Sequence, residues 1–165
     1  MEFKNGEKWR EECAESLGKI GIVCYDPYKK PFDETYVKED VDSQEALKQM
    51  REDGDLKGVH EHFKEIVAID LAMVDRSDFI VCYIDPQVPT FGTIHELIVA
   101  NQAKKPIFVV VEGGVTKTPL WILGLLPPNY FYNDLESLLS MVKSIDGGEV
   151  EIDSSRWRLF KEEYR

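Results

Sequence analysis

Residues 85–96 combine a carboxylate suited to chemistry with a backbone arrangement that can bind a ligand. The segment follows the apolar run Phe79–Ile84, whose β-branched and aromatic residues predict a buried parallel strand. A helical pattern then continues to about Ala103, with Glu96 in its first turn. The order is therefore a strand, a loop at its carboxyl end and a helix N-terminus, which is where open α/β sheets bind their ligands.

Two interpretations of Glu96 follow from this arrangement. In the first, Gly92 lets the backbone approach a ligand, and the free N–H groups of the first helical turn favour oxygen-rich or anionic groups. Glu96 would then project from that first turn into the crevice. In the second, Thr93-x-x-Glu96 is a capping box, in which Glu96 only accepts a hydrogen bond from the Thr93 backbone.

A second acid, Asp70, lies on the apolar side of a long helix predicted from about Gly58 to Arg76. The apolar positions of that helix are Phe63, Ile66, Val67, Met73 and Val74. A carboxylate on a core-facing side is unfavourable unless it is hydrogen-bonded or paired. Asp70 is therefore a candidate functional residue, and a structural hydrogen bond to neighbouring backbone is the alternative.

The composition predicts one domain spanning residues 1–165. A net charge of −11 without a basic stripe argues against a nucleic-acid polymer as partner, although a local site can still bind a small ligand. The apolar runs are too short for a membrane span and no signal peptide opens the chain, which favours the cytoplasm. Cys13, Cys24 and Cys82 show no metal spacing and are predicted to be buried free thiols.

The rest of the chain alternates between strand and helix patterns. Helices are predicted at about Glu7–Gly18, from Asp42 to Asp53, at Pro119–Leu123 and at Leu135–Ile145; strands are predicted at Gly21–Tyr25, Ile107–Val111 and Tyr130–Tyr132. Tyr28 to about Val41 reads as a polar loop, and Trp157 and Phe160 anchor a C-terminal helix or arm. This alternation predicts an α/β fold with a parallel sheet of about four strands.

Several other motifs have structural explanations. His60 and His62 point to different sides of a helix, so no metal site is expected there. Gly113-Gly114 lacks the residues of a P-loop and is predicted to be a turn. His95 is placed at the surface, and the core is preferred to a base-stacking site for the aromatic residues Trp121, Tyr130, Phe131 and Tyr132.

An ordered set of short motifs resembles the nucleoside 2-deoxyribosyltransferase superfamily, which includes the 2′-deoxynucleoside 5′-phosphate N-glycosidases. The set, which covers most of the chain, consists of Trp9-Arg10-Glu11, Gly21-Ile-Val with Asp26-Pro27, Asp70 with Asp78, Gly92-Thr93-x-x-Glu96, Lys105-Pro106 and Pro119-Leu-Trp121. Each motif is weak alone, and the order and spacing carry the likeness. Small phage and bacterial members resemble the chain most.

The resemblance implies a flavodoxin-like or Rossmann-like, doubly wound fold of three α/β/α layers with four to five strands. It also implies cleavage of the N-glycosidic bond of 2′-deoxynucleosides or their 5′-monophosphates. Glu96 would be the nucleophile that holds the deoxyribosyl group, and Asp70 would orient Glu96 and the departing base. A carboxylate suits this chemistry because the transition state is oxocarbenium-like. The sugar then passes to a second base or to water.

The resemblance also assigns substrate-binding positions, at Thr90, Gly92, Thr93 and Asp78. Thr90 occupies the place where relatives that use free nucleosides tend to have an acid and monophosphate-specific relatives a hydroxyl, so it favours a 5′-phosphate. No cofactor or metal is implied, and a homo-oligomer that binds a nucleoside or nucleotide is expected, without a membrane partner.

One departure from the family pattern supports a second hypothesis. The family begins with a central strand of the type Ile-Tyr-Leu-Ala-Gly-Pro, whereas this chain begins with Met1-Glu2-Phe3, where that strand would already have ended. Either the chain starts at an internal methionine, or its sheet is altered. An altered sheet favours a non-catalytic module of the same fold that binds or senses a nucleotide.

Overall fold

The computed structural model describes residues 2–29, 41–88 and 90–150, together with Trp157. Its helices and strands, in chain order, are α1 (Glu2–Gly18), α2 (Val41–Glu52), α3 (Leu56–Arg76), β1 (Ile80–Ile84), α4 (Phe91–Gln102), β2 (Ile107–Val111), α5 (Leu120–Leu125), β3 (Phe131–Tyr132) and α6 (Leu135–Asp146). Two compact units are present: Met1–Cys24 with Ser77–Arg165, and Tyr25–Arg76. Most of the loop predicted between Tyr28 and Val41 lies outside the described residues.

The first unit contains a parallel sheet in the order β1, β2, β3. β1 pairs with β2 along its whole length, whereas β3 contributes only Phe131 and Tyr132. All five residues of β2 are buried, as expected for the central strand of a parallel sheet. The predicted α/β fold with a parallel sheet is confirmed, but the described sheet has three strands rather than four or five.

Helices cover both faces of this sheet. The Cys82 side chain of β1 lies close enough to Glu96 of α4 to feel its charge. The next residue, Tyr83, stacks on Trp9 of α1, with ring centroids 5.5 Å apart and an interplanar angle of 23°. Because successive strand side chains point to opposite faces, α4 and α1 lie on opposite sides of β1.

The α6 helix packs beside α1 and supplies much of the core of the first unit. Its buried positions are Leu135, Leu138, Leu139 and Val142, the spacing of one helical face. The helix begins after Asp134, whose carboxylate accepts a hydrogen bond of 2.7 Å from the Ser137 backbone N–H. This is an N-cap that satisfies one of the otherwise unpaired donors of the first turn.

We expect Asp134→Ala to lower the Tm by roughly 2–4 °C near neutral pH, because the cap bond is lost. The backbone hydrogen bond from Ser137 holds the pKa of Asp134 below its usual 3.8. Its stabilisation is thus present above the unfolded-state pKa and is lost as pH falls through the lower folded-state value. Thermal melts from pH 7 down to about pH 3 should show the gap between wild type and variant closing below about pH 4.

The matched control is Asp134→Asn, since asparagine also caps helices but does not titrate. Its Tm should stay close to that of wild type at neutral pH. A difference in Tm between wild type and Asp134→Ala that does not change with pH would contradict a charge-dependent cap.

The second unit contains α2 and α3, which pack on each other. Asp55 precedes α3 and accepts a hydrogen bond of 2.9 Å from the Gly58 backbone N–H, which caps the helix. Ile66, Met73 and Val74 are buried on α3, as predicted. Phe63 and Val67 were predicted on the same apolar side but are exposed, because the buried face of α3 is narrower than the sequence stripe.

The predicted strand at Gly21–Tyr25 is wrong. Residues 22–26 have no regular secondary structure, and Val23 is 79% exposed. A strand needs a partner ladder, and no strand of the described sheet pairs with this segment. The chain instead turns back at the end of α1, where the Ile22 backbone N–H donates to the Leu17 carbonyl.

Three further residues correct or qualify the predicted core. Cys24 is exposed rather than buried, because it lies within the segment that forms no strand. Trp121 is 76% exposed, since the short helix α5 buries only Ile122. Trp157 is buried against Tyr130, at a centroid distance of 4.8 Å, and Phe160 lies outside the described residues. Tyr130 and Phe131 are buried, which confirms their assignment to the core.

Candidate active site

The loop after β1 leads into α4 at the carboxyl end of the strand. Asp85 starts the turn, and its carboxylate accepts a hydrogen bond of 2.9 Å from the Gln87 backbone N–H. Thr90 is the N-cap of α4, which begins at Phe91, and the Ile94 N–H donates to the Thr90 carbonyl. The predicted strand, loop and helix N-terminus are thus present in this order.

The capping-box interpretation of Thr93 and Glu96 is wrong. Thr93 is the third residue inside α4 and does not precede it, since the helix begins at Phe91. Glu96 is the sixth helical residue and lies in the second turn, so it does not project from the first turn as the sequence suggested. Local propensity misplaced the boundary because Phe91 and Gly92 are weak helix formers.

Glu96 is half-buried and lies against the buried side of β1. Burial, and after it the negative charge of Glu96, raises the pKa of the Cys82 thiol from 9.0 to about 12. A carboxylate close enough to perturb a buried thiol is partly shielded from water, where its charge interacts more strongly with nearby groups. Such a position suits a carboxylate that must stabilise positive charge on a ligand.

We expect Cys82 to react with iodoacetamide at pH 8 on the order of 10³ times more slowly than an ordinary thiol, because so little thiolate is present. Peptide mapping by mass spectrometry after timed alkylation measures the rate. The same protein in urea provides the control, where Cys82 should react at the ordinary rate. Equal rates in folded and unfolded protein would contradict the environment described for Cys82.

Three of the four predicted substrate-binding residues lie at the start of α4, the helix that carries Glu96. Thr90 caps α4, while Gly92 and Thr93 lie one turn before Glu96 on the same side of the helix. Gly92 is exposed, and a side chain added there would meet nothing within 4 Å. Local packing therefore does not require glycine at this position, which leaves room for a ligand beside the backbone.

Asp78 is the exception among the predicted binding residues. It is exposed and precedes β1, so it lies at the amino end of the strand, whereas Thr90 and Glu96 follow the carboxyl end. The five residues of β1 span roughly 15 Å at about 3.3 Å per residue. The structure does not bring Asp78 to the edge of the sheet where the other predicted residues lie.

Asp70 lies in the second unit, on α3, and is half-buried. It shares a helical face with the buried residues Ile66, Met73 and Val74, which confirms the predicted position of a carboxylate on the core-facing side. Glu96 belongs to the first unit. Convergence of the two acids in one pocket therefore stays a prediction.

A cleft of about 450 Å³ in the first unit was not predicted. It lies at the carboxyl ends of the strands and is lined by α1, by Tyr83, by the turn after β2 and by the start of α6. Trp9 stacks on Tyr83 here, and the Tyr83 hydroxyl donates a hydrogen bond to Glu112. The one feature of the sequence that could have indicated this cleft is Tyr83, an aromatic residue between the buried Cys82 and Ile84, whose side chain must point to the opposite face of the sheet.

The Gly113-Gly114 turn forms part of the wall of this cleft, as a turn rather than a P-loop. Both glycines have positive φ, 77° and 92°. A side chain on Gly114 would approach the Asn133 side-chain oxygen to 3.1 Å, and the same oxygen accepts a hydrogen bond from Val115 N–H. The turn therefore ties the end of β2 to the end of β3.

Glu96 does not line this cleft. Tyr83 and Val110 face the cleft from the side of the sheet that α1 covers, whereas Cys82 faces α4 and Glu96. The carboxylates at the cleft are Glu12, Glu112 and Asp134, with Lys8 as the basic residue. The first unit thus offers two chemically different places, one on each face of the sheet.

Comparisons of the chain with protein-family models, curated protein sequences and solved structures return no match. Within the described residues, no group of three or more His, Cys, Asp or Glu side chains is arranged to hold a metal ion. None of the described helices combines the length and apolar character needed to cross a bilayer. The resemblance to the deoxyribosyltransferase superfamily stays a hypothesis drawn from ordered motifs.

Proposed function

We propose that this chain cleaves the N-glycosidic bond of 2′-deoxynucleosides or their 5′-monophosphates, with Glu96 as the nucleophile. One observation carries the proposal: a half-buried carboxylate stands against β1 on the second turn of α4, the helix that follows the loop at the strand's carboxyl end. Open α/β sheets bind ligands at this location. The order of motifs shared with the deoxyribosyltransferase superfamily supplies the reaction class.

The reaction needs one carboxylate and no redox partner. A Glu96 oxygen forms a bond to the anomeric carbon of the sugar as the bond from that carbon to the base nitrogen breaks, and the base leaves with the bonding electrons and takes up a proton. Water or a second base then attacks the anomeric carbon, and the Glu96 carboxylate leaves. The carboxylate both stabilises the oxocarbenium-like transition state and captures the sugar.

The start of α4 supports binding of the 5′ end of the substrate. Its first N–H groups belong to Phe91, Gly92 and Thr93, and they favour an anionic or oxygen-rich group. The half-buried Thr90 adds a hydroxyl at the same end of the helix. A 5′-monophosphate fits this combination better than an uncharged 5′-hydroxyl. The orienting role that the resemblance gives Asp70 is a separate prediction, on which the role of Glu96 does not depend.

The alternative is a module that binds a nucleotide without turnover. The cleft walled by Trp9 and Tyr83 favours it, because a ligand held there would lie on the face of the sheet opposite Glu96. Binding at that cleft would place no reacting bond near the proposed nucleophile. The three-stranded described sheet is compatible with this alternative as well.

A panel of deoxynucleosides and their 5′-monophosphates, each with and without an acceptor base, tests the proposal. Chromatography measures release of free base, and quenching of tryptophan fluorescence measures binding. The enzyme hypothesis expects base release, faster from monophosphates. Saturable binding without base release across the panel would favour the binding module over the enzyme. If the chain neither binds nor cleaves any member of the panel, both hypotheses are contradicted.

A further inference from the structure

The end of α1 brings two cysteines together. The helix ends at Gly18, and the chain reverses through Gly21, which has a positive φ of 83°. The Ile22 backbone N–H then donates to the Leu17 carbonyl at 3.1 Å, so the chain starts back beside the last turn of the helix. Cys24 comes two residues later.

Those two residues are enough for the returning chain to reach the level of Cys13. Two residues can advance by up to about 7 Å, at about 3.3 Å each. Along a helix this is a rise of four to five residues at about 1.5 Å each, which leads from Leu17 back to Cys13. Cys13 and Leu17 lie one turn apart on the same helical face, and both are buried.

The Cys13 and Cys24 side chains lie close enough to interact, and they differ in exposure. The hydrogen bond between the Cys13 and Cys24 side chains, followed by burial, raises the pKa of the Cys13 thiol far above its ordinary value. Cys13 is buried, whereas Cys24 is exposed to solvent. The pair therefore offers one accessible sulfur next to one protected sulfur.

We propose that Cys13 and Cys24 form a reversible intramolecular disulfide, with Cys24 as the sulfur that small-molecule disulfides attack first. This inference is independent of the proposed glycosidic chemistry. Redox-active pairs often combine an exposed thiol with a neighbouring resolving thiol, which is the arrangement here. Cys82, buried in β1, takes no part in the exchange.

The exchange balances with a low-molecular-weight disulfide such as glutathione disulfide as the oxidant. The Cys24 thiolate attacks one sulfur, the S–S bond breaks, one glutathione thiolate leaves and a mixed disulfide forms. Cys13 then loses its proton and attacks the Cys24 sulfur, and the second glutathione leaves. Each departing thiolate takes up a proton, so two cysteines are oxidised as one disulfide is reduced to two thiols.

The disulfide would join the middle of α1 to the last residue of the first unit before the chain enters the second. Because Trp9 and Glu12 of α1 line the cleft, the cross-link would restrain a helix that forms part of its wall. Closing the loop from residue 13 to residue 24 also reduces the freedom of the unfolded chain, which favours the folded state.

To test the proposal, the 165-residue chain is equilibrated in glutathione buffers of increasing oxidising strength. The exchange is then quenched with acid, the remaining thiols are alkylated in denaturant, and the products are identified by mass spectrometry. We expect alkylatable thiols to fall from three to one, with the mass of two hydrogens lost and a Cys13–Cys24 cross-linked peptide. Cys82→Ser should still form the cross-link, and dithiothreitol should reverse it. Non-reducing gels should show a monomer at every oxidising strength.

Two variants separate the roles of the pair. Cys13→Ala should stop at a stable mixed disulfide of Cys24 with glutathione, whereas Cys24→Ser should take up no glutathione in the folded state. A wild-type chain that holds glutathione on Cys24 without closing, or that links Cys82 or a second chain, would overturn the proposal. Because the peptide map is obtained on wild type, a variant that fails to fold leaves the test intact.

Discussion

Glu96→Gln is expected to reduce the release of base at least about 10³-fold from any deoxynucleoside that the wild type cleaves, because the amide cannot form the glycosyl intermediate. Glutamine keeps the size of the half-buried side chain and one of its acceptor oxygens, so the helix and its contact with β1 should be preserved. Single-turnover assays by chromatography measure the rate, and fluorescence quenching measures substrate binding. Binding within a few-fold of wild type would assign the loss to the chemical step.

The matched control for this variant is His95→Gln, which changes the neighbouring residue of α4. His95 is exposed, whereas Glu96 is half-buried against β1. The control should retain the wild-type rate. Base release by Glu96→Gln at the rate of the control would remove Glu96 from the mechanism. Loss of activity in both variants would indicate damage to α4 rather than loss of a nucleophile.

Leu138→Ala is expected to lower the free energy of unfolding by about 3 kcal/mol. Leu138 is 0% exposed on the face of α6 that forms the core of the first unit. Truncation removes apolar contacts and leaves a cavity that the surrounding side chains fill only in part. Urea unfolding followed by tryptophan fluorescence measures the change as a shift of the midpoint at a constant slope.

The chain offers a control of the same residue type at a helical surface position. Leu120 is the first residue of α5 and is 87% exposed. Leu120→Ala should change the free energy of unfolding by no more than about 0.5 kcal/mol. Equal effects of the two substitutions would contradict the placement of α6 in the core.

The sequence predicted the helices and strands that can be recognised from their own pattern of apolar residues. β2 was located residue for residue, because Ile107–Val111 is a continuous apolar run between a proline turn and a glycine turn. α1 and α3 were found from their apolar periodicity, and both end at the predicted residues, Gly18 and Arg76. The spacing of apolar residues shows which side of a helix or strand is buried, whichever neighbouring element covers it.

The errors concern features that depend on distant partners. Gly21–Tyr25 has the composition of a strand, but strand formation requires a neighbouring ladder, which no local pattern reveals. Trp121 was assigned to the core as part of an apolar helical segment, yet α5 is too short to bury more than one side. The start of α4 was placed too late because a glycine lies in its first turn.

The candidate site was predictable only where its residues are close together in the sequence. Glu96 and Gly92 were placed on the helix after β1 because strand, loop and helix follow one another along the chain, so that this order is a local property, whereas Thr90 was assigned by the resemblance alone. The cleft formed by Trp9, Tyr83 and Glu112 joins residues far apart in sequence. Its existence depends on how α1 packs over the sheet, which composition and spacing do not encode.

The three tryptophans give the chain a built-in optical label for one of its two units. Trp9 is half-buried, Trp121 is open to solvent and Trp157 is buried, whereas residues 25–76 contain no tryptophan. Emission spectra therefore follow melting of the first unit alone, while far-ultraviolet circular dichroism sums the helices of both. Non-coincident curves from the two signals would resolve the units as separate cooperative blocks, and superimposable curves would indicate that they melt together.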